Sequence, residues 1–209
     1  MKSRMAFVFC VVVVAFFAAP ALAAGPYIGA QAGAVFLDDA TISDSAGSLD
    51  VKFDTGYGVG VFGGFDYGTW RLEGEFTYRA NDHDQVSEGG LSAPLDGDTS
   101  SMALMLNAYY DSKMVSPTFV PYIGAGVGGA RVSVDASAGG LQLLDDDDMV
   151  FAYQLAAGVG FVVSPQLTID LGYKYFATAD PSFEISGGGG SVDGEYKSHN
   201  VFLGARFNF

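Results

Sequence analysis

Cysteine, histidine and positive charge are all scarce in this chain of 209 residues: one Cys, two His, and ten Lys+Arg against 24 Asp+Glu. Cys10 lies in an apolar run from Met5 to Ala19, after Lys2 and Arg4 and before Pro20 and the triplet Ala21-Leu22-Ala23. A basic start, an apolar stretch too short to span a bilayer and a small-residue cleavage triplet predict that residues 1–23 are a cleavable signal peptide and residues 24–209 the mature domain. Phe9 stands where a lipoprotein site requires a small residue, which argues against lipidation of Cys10. With Cys10 removed, disulfide and thiol chemistry are excluded from the mature chain. Lys2 and Arg4 leave with it, so eight basic residues face 24 acidic ones, a net charge of −16. Phosphate backbones are bound by basic clusters, so nucleic acid is disfavoured as a partner.

Also missing after residue 25 is any apolar period of the helical kind sustained over three turns. Period-two alternation takes its place, over eight stretches near 26–37, 52–65, 69–79, 100–111, 119–132, 150–163, 167–177 and 196–209, each long enough to cross a bilayer as a tilted strand. In the third, Trp70, Leu72, Gly74, Phe76 and Tyr78 share one face, while Arg71, Glu73, Glu75, Thr77 and Arg79 share the other. In the sixth, Phe151, Tyr153, Leu155, Ala157, Val159 and Phe161 oppose a face of Gln154, Ala and Gly.

Side-chain size decides which face looks outward. A water-facing surface would be crowded with Lys, Glu and Thr. The less apolar faces instead carry Gly29 and Gly33; Gly56, Gly58 and Gly60; Gly124, Gly126 and Gly128; Gly158 and Gly160. Small residues suit the cramped lumen of an eight-stranded barrel, and closure leaves no unpaired edge for hydrocarbon to meet. The fold class is therefore all-β: a closed eight-stranded antiparallel transmembrane β-barrel, preceded by a cleavable signal peptide. Arg71, Arg79, Lys174 and Arg206 are the expected lumen partners of Asp54, Glu73, Glu75 and Asp170, with Gln31, Asn107 and Gln154 as hydrogen-bonding filler. Long links (38–51, 80–99, 133–149, 178–195) alternate with short ones (66–68, 112–118, 164–166), which puts the long links at one end, outside the cell, and both termini at the periplasmic end.

Three stretches, Pro26-Tyr27-Ile28-Gly29-Ala30-Gln31-Ala32-Gly33, Gly60-Val61-Phe62-Gly63-Gly64-Phe65 and Pro121-Tyr122-Ile123-Gly124-Ala125-Gly126-Val127-Gly128, resemble the eight-stranded outer-membrane proteins of the OmpA transmembrane-domain and opacity-protein type. The resemblance covers nearly the whole mature chain. It implies an outer-membrane location in a Gram-negative bacterium, with lipids and lipopolysaccharide as neighbours and the barrel-assembly machinery as a partner in biogenesis. Val201, Leu203, Ala205, Phe207 and the terminal Phe209 look like the strand that this machinery reads. A peptidoglycan-binding domain after the barrel, as in the larger relatives, is not expected from these residues, so the resemblance does not imply a cell-wall tether.

Little material remains for catalysis. His83 and His199 are the only histidines, and Ser198 and His199, adjacent on a strand, point to opposite faces and cannot form a nucleophile–base pair. No cofactor is implied. Asp145, Asp146, Asp147 and Asp148 are a weak divalent-cation candidate without the spaced ligands and glycine of an EF-hand; a solvated loop is the plainer reading. Trp70, Tyr78, Tyr110, Tyr153 and Tyr173, with Phe36, Phe53, Phe151, Phe207 and Phe209, are expected at the two membrane interfaces. The resulting expectation is a surface protein whose plugged barrel displays four acidic loops to a host or cell-surface ligand, and not an enzyme; the alternative is a narrow conduit for small solutes.

Overall fold

The computed structural model describes residues 25–38, 40–44, 47–88, 91–94, 96–112, 116, 118–138, 141–179, 182–184, 191–193 and 196–209. The signal peptide expected over residues 1–23 lies outside them. Eight long strands are formed: β1 (Gly25–Leu37), β2 (Gly56–Asp66), β3 (Trp70–Glu88), β4 (Asp96–Asp111), β5 (Phe119–Ala138), β6 (Leu141–Val162), β7 (Leu167–Thr178) and β8 (Lys197–Asn208). Each pairs antiparallel with its neighbour in sequence. β8 returns to β1, from Tyr27 opposite Asn208 to Leu37 opposite Ser198, and closes the cylinder. Among the described residues there is no helix.

The face assignment is settled by exposure. Leu72 (36%), Phe76 (45%), Leu155 (55%) and Leu171 (52%) point away from the axis, while Glu73 (3%) and Lys174 (5%) are enclosed. A soluble barrel would have these reversed; this distribution suits a hydrocarbon solvent, in which only closed backbone pairing is tolerated.

The short turns have local causes. Asp66 Oδ1 accepts the Gly68 amide at 2.6 Å, and Gly68 adopts φ 93°, a left-handed conformation available to glycine at no steric cost. At the next turn but one, Ser164 Oγ accepts the Leu167 amide at 3.1 Å.

At the other end the strands outrun the sequence expectation. β3 continues to Glu88, β5 to Ala138, and β6 begins at Leu141, so most of the links predicted over 80–99 and 133–149 is ladder. Above an apolar band neither face of a hairpin has to be apolar, so alternation disappears from the sequence although backbone pairing continues. The second strand differs in the opposite sense. It starts at Gly56, not near 52, because Lys52 and Phe53 belong to a separate strand, Gly47–Phe53, that pairs with Ala40–Asp44 and with the top of β3 through an irregularity at Lys52/Phe53.

Large inward side chains face glycine across the ladder. Tyr109 is opposite Gly124, Asn107 opposite Gly126 and Met105 opposite Gly128; Tyr122 is opposite Gly158, Phe62 opposite Gly29 and Phe202 opposite Gly33. A Cβ at Gly124 would lie 2.3 Å from the Tyr109 ring, and one at Gly158 2.5 Å from that of Tyr122. The glycines are thus seats for rings and amides from the next strand, which is how eight strands enclose a filled lumen.

Candidate functional site

The lumen has two layers. Toward the short-turn end it is ionic. Arg71 Nε lies 2.8 Å from Asp111 Oδ2 and its Nη1 3.8 Å from Glu73; Arg206 Nη2 lies 3.6 Å from Asp170. Tyr27 donates to Glu73 at 3.0 Å. The Arg71 guanidinium also stacks over the rings of Tyr109 (4.6 Å) and Tyr122 (5.2 Å), so its charge meets π-faces as well as carboxylates.

Midway, Glu75 forms a hub. Its carboxylate accepts from Lys174 Nζ at 2.6 Å, Thr77 Oγ1 at 2.7 Å, Asn107 Nδ2 at 3.0 Å, Gln31 Nε2 at 3.1 Å and Gln154 Nε2 at 3.3 Å. Gln31 Oε1 in turn accepts from Lys174 at 3.0 Å, and Gln154 donates to Asn107 at 2.7 Å. These donors come from β1, β4, β6 and β7 as well as from β3 itself, so the network crosses the bore. Below it, a cavity of ≈ 30 Å³, lined among others by Gln31, Glu73, Tyr122, Asp170 and Lys174, has room for about one water molecule.

Toward the long-link end the lumen turns apolar, with Ala103, Met105, Ala130, Val132, Val150, Ala152, Phe176 and Tyr196 packed together. Arg79 sits where the two layers meet. The expected carboxylate partner is absent among the described residues: its Nε donates to Asn200 Oδ1 at 3.1 Å and its guanidinium lies 4.1 Å from the Phe176 ring centre. Glu73 and Glu75 lie lower on the strand, where Arg71 and Lys174 hold them, which leaves Arg79 a π-face in place of either carboxylate.

Asp54 is a second correction. It precedes β2 and is exposed, and among the described residues its contact with the barrel is through its backbone carbonyl, which accepts from Asn81 Nδ2 at 3.0 Å. Asp111 takes the place expected of it; its parity with Asn107 and Tyr109 on β4 was the available signal. The inward aromatics Tyr27, Tyr109, Tyr122, Phe176 and Phe202 were also missed, since they share parity with the glycines that make room for them.

On the outer surface, Trp70, Tyr78, Tyr110, Tyr153 and Tyr173 all point away from the axis. Trp70 meets Tyr110 edge to face at 5.2 Å and Phe119 meets Phe161 at 5.1 Å, both near the short turns. Near the other rim Tyr173 Oη lies 2.5 Å from His199 Nδ1, and His199 Nε2 lies 3.1 Å from Asp38 Oδ1, a chain that links β7, β8 and the end of β1. Ser198, next to His199, is enclosed and bonds Asn200 at 3.1 Å. On β8, Val201, Leu203, Ala205, Phe207 and Phe209 are exposed; the Phe207 and Phe209 rings meet at 5.4 Å, and the Phe209 amide donates to Pro26 at 3.1 Å. Of the four consecutive acids, Asp147 forms a two-bonded pair with Arg131 at 2.8 and 2.9 Å and Asp148 accepts the Met149 amide; the side chains of Asp145 and Asp146, like those of Phe53 and His83, lie outside the described residues. Among the described residues no group of three metal-ligating side chains converges.

The chain is 28% identical over 187 residues to an opacity protein of Neisseria gonorrhoeae, covering 70% of this chain and 75% of that one. Neisserial surface protein A superposes with a TM-score of 0.57 at 23% identity, over 88% of this chain and 97% of that one. Outer membrane protein OprG of Pseudomonas aeruginosa gives 0.66 at 16%, over 88% and 96%. The model of the outer membrane protein beta-barrel domain matches residues 9–209. Closed pairing, an apolar exterior, an enclosed ionic lumen and this match agree: the chain belongs to the outer-membrane β-barrel family and resides in the outer membrane of a Gram-negative bacterium.

Proposed function

We propose that the protein is a sealed anchor that displays its long links at the cell surface for contact with host or cell-surface ligands, without catalytic activity. The observation that carries this reading is the Glu75 hub, whose donors from four other strands cross the bore, backed by the apolar layer around Phe176 and Tyr196. Eight strands leave little bore to begin with. The long links face outward because both termini and the short turns share the other end, and the outward face of β8, ending in Phe209, is the strand read during assembly after cleavage of residues 1–23. Lipopolysaccharide and lipids surround the apolar band.

Liposomes containing the purified barrel should not swell in isosmotic solutions of small sugars or amino acids, and planar bilayers should show no steady nanosiemens openings. Solute-dependent swelling would replace the sealed anchor with a narrow conduit.

A further inference from the structure

Three methionines fall among the described residues, and the barrel treats them differently. Met105 points into the lumen and is 0% exposed, packed in the apolar layer with Phe176 and Tyr196. Met102 and Met149 point outward and are 50% and 65% exposed. They stand in one row: Met102 of β4 is opposite Arg131 of β5, and Arg131 is opposite Met149 of β6. Residues directly opposite on a shared face hold their Cβ atoms within about 5.5 Å of each other. A guanidinium is therefore flanked by a thioether on either side.

The level of this row follows from its neighbours. Below it, the outward rows across the same three strands are Leu104-Gly129-Phe151, Leu106-Val127-Tyr153, Ala108-Ala125-Leu155 and Tyr110-Ile123-Ala157, and none carries a charge. Arg131 is the first charged side chain above them on this sector of the wall. It pairs with Asp147 at 2.8 Å, with the two side chains 54% and 46% exposed. An ion pair so uncovered would be costly in hydrocarbon, which sets the row at the aqueous margin. Water-borne reagents thus reach the two outward thioethers, while Met105 is shielded by its packing.

We infer that Met102 and Met149 are paired oxidation sites for hydroperoxides, with Arg131 as the donor between them. In each event a sulfur lone pair attacks the outer oxygen of the peroxide: the S–O bond forms as the O–O bond breaks. The sulfur is oxidised by two electrons to the sulfoxide, and the peroxide is reduced. Negative charge gathering on the departing oxygen is met by guanidinium N–H groups, and the proton of the transferred hydroxyl passes to that oxygen to give water or an alcohol. The products are two sulfoxide oxygens, both acceptors, beside a group with five N–H donors. A row that capped the apolar band with two apolar side chains then caps it with three polar ones.

The test exposes the mature barrel in phospholipid vesicles to hydrogen peroxide, whose neutrality removes charge steering, and follows each methionine by peptide mass spectrometry. Met102 and Met149 should each gain one oxygen at a rate roughly tenfold or more above that of Met105. Arg131→Gln should slow both by about threefold, a modest factor because the donor is solvated, and Arg131→Lys should restore most of the rate, with heat-modifiable gel migration retained in both variants. Met105 reacting as fast as the outward pair, or Met102 lagging with Met105, overturns the site on the wild-type barrel alone. Unchanged rates in Arg131→Gln overturn it as well, by reducing the row to two separately exposed thioethers.

Discussion

Glu75 holds a carboxylate in the centre of the lumen against five donors, one of them the Lys174 ammonium. Removing one member of a buried ion pair strands the other, at a cost of about 3–5 kcal/mol, whereas replacing both by apolar groups is often neutral. Glu75→Ala should therefore lower the unfolding free energy in urea and lipid vesicles by about that amount, and Glu75→Ala with Lys174→Met should recover most of it. A single variant within about 1 kcal/mol of wild type would show that the hub holds nothing together. The ring seats give a second expectation. Gly124→Ala drives a methyl into the Tyr109 ring and close to the Ala108 carbonyl, an overpacking of about 1–3 kcal/mol, and Tyr109→Ala, which removes the ring atoms it meets, should relieve most of it, so the two changes should be clearly less than additive in the same assay. At this scale the sequence was legible in parity and illegible in pairing. Alternation alone puts Glu73, Glu75 and Lys174 on the inward face, but which acid meets which base depends on strand register: one residue of slip changes every partner. Asp54 and Arg79 were paired without that register; parity turns Asp111 inward, but its pairing with Arg71 and the Tyr109 seat on Gly124 appear only with the register.

Elements inside the hydrocarbon were readable because one face must be apolar there, as Trp70 to Tyr78 and Phe151 to Phe161 display. Above the band the constraint is lifted, which is why β3, β5 and β6 are longer than their alternating segments. The same distinction separates two roles of β8. Its inward residues Phe202 and Arg206 are packing, while Phe207 and Phe209 are exposed with their rings against each other, Phe207 standing between Ile28 of β1 and Leu167 of β7. Phe209→Ala should lower the fraction of heat-modifiable barrel in the outer-membrane fraction of cells, yet leave refolding of the purified chain into detergent unchanged. A loss in both would make the terminal ring a stability element and not an assembly signal.

For the whole molecule, the governing fact is an exterior solvated by lipid. Arginine on the lipid face of a barrel costs about 2–4 kcal/mol at mid-depth and about 0–1 near an interface. Leu155→Arg or Leu171→Arg should thus destabilise the barrel by the larger amount in vesicle unfolding titrations, and Met149→Arg, beside the upper rim, by the smaller. Equal penalties would mean that the apolar band is not where these residues place it.

β6 runs eleven residues past its last pair with β7, roughly 35 Å of chain at the usual rise per residue. Over that length its ladder, among the described residues, is with β5, so this tall hairpin is zipped along a single seam while the band below it is stitched on both sides. Its amides should therefore exchange with solvent before those of the band, fading stepwise from Leu141 down to Val150.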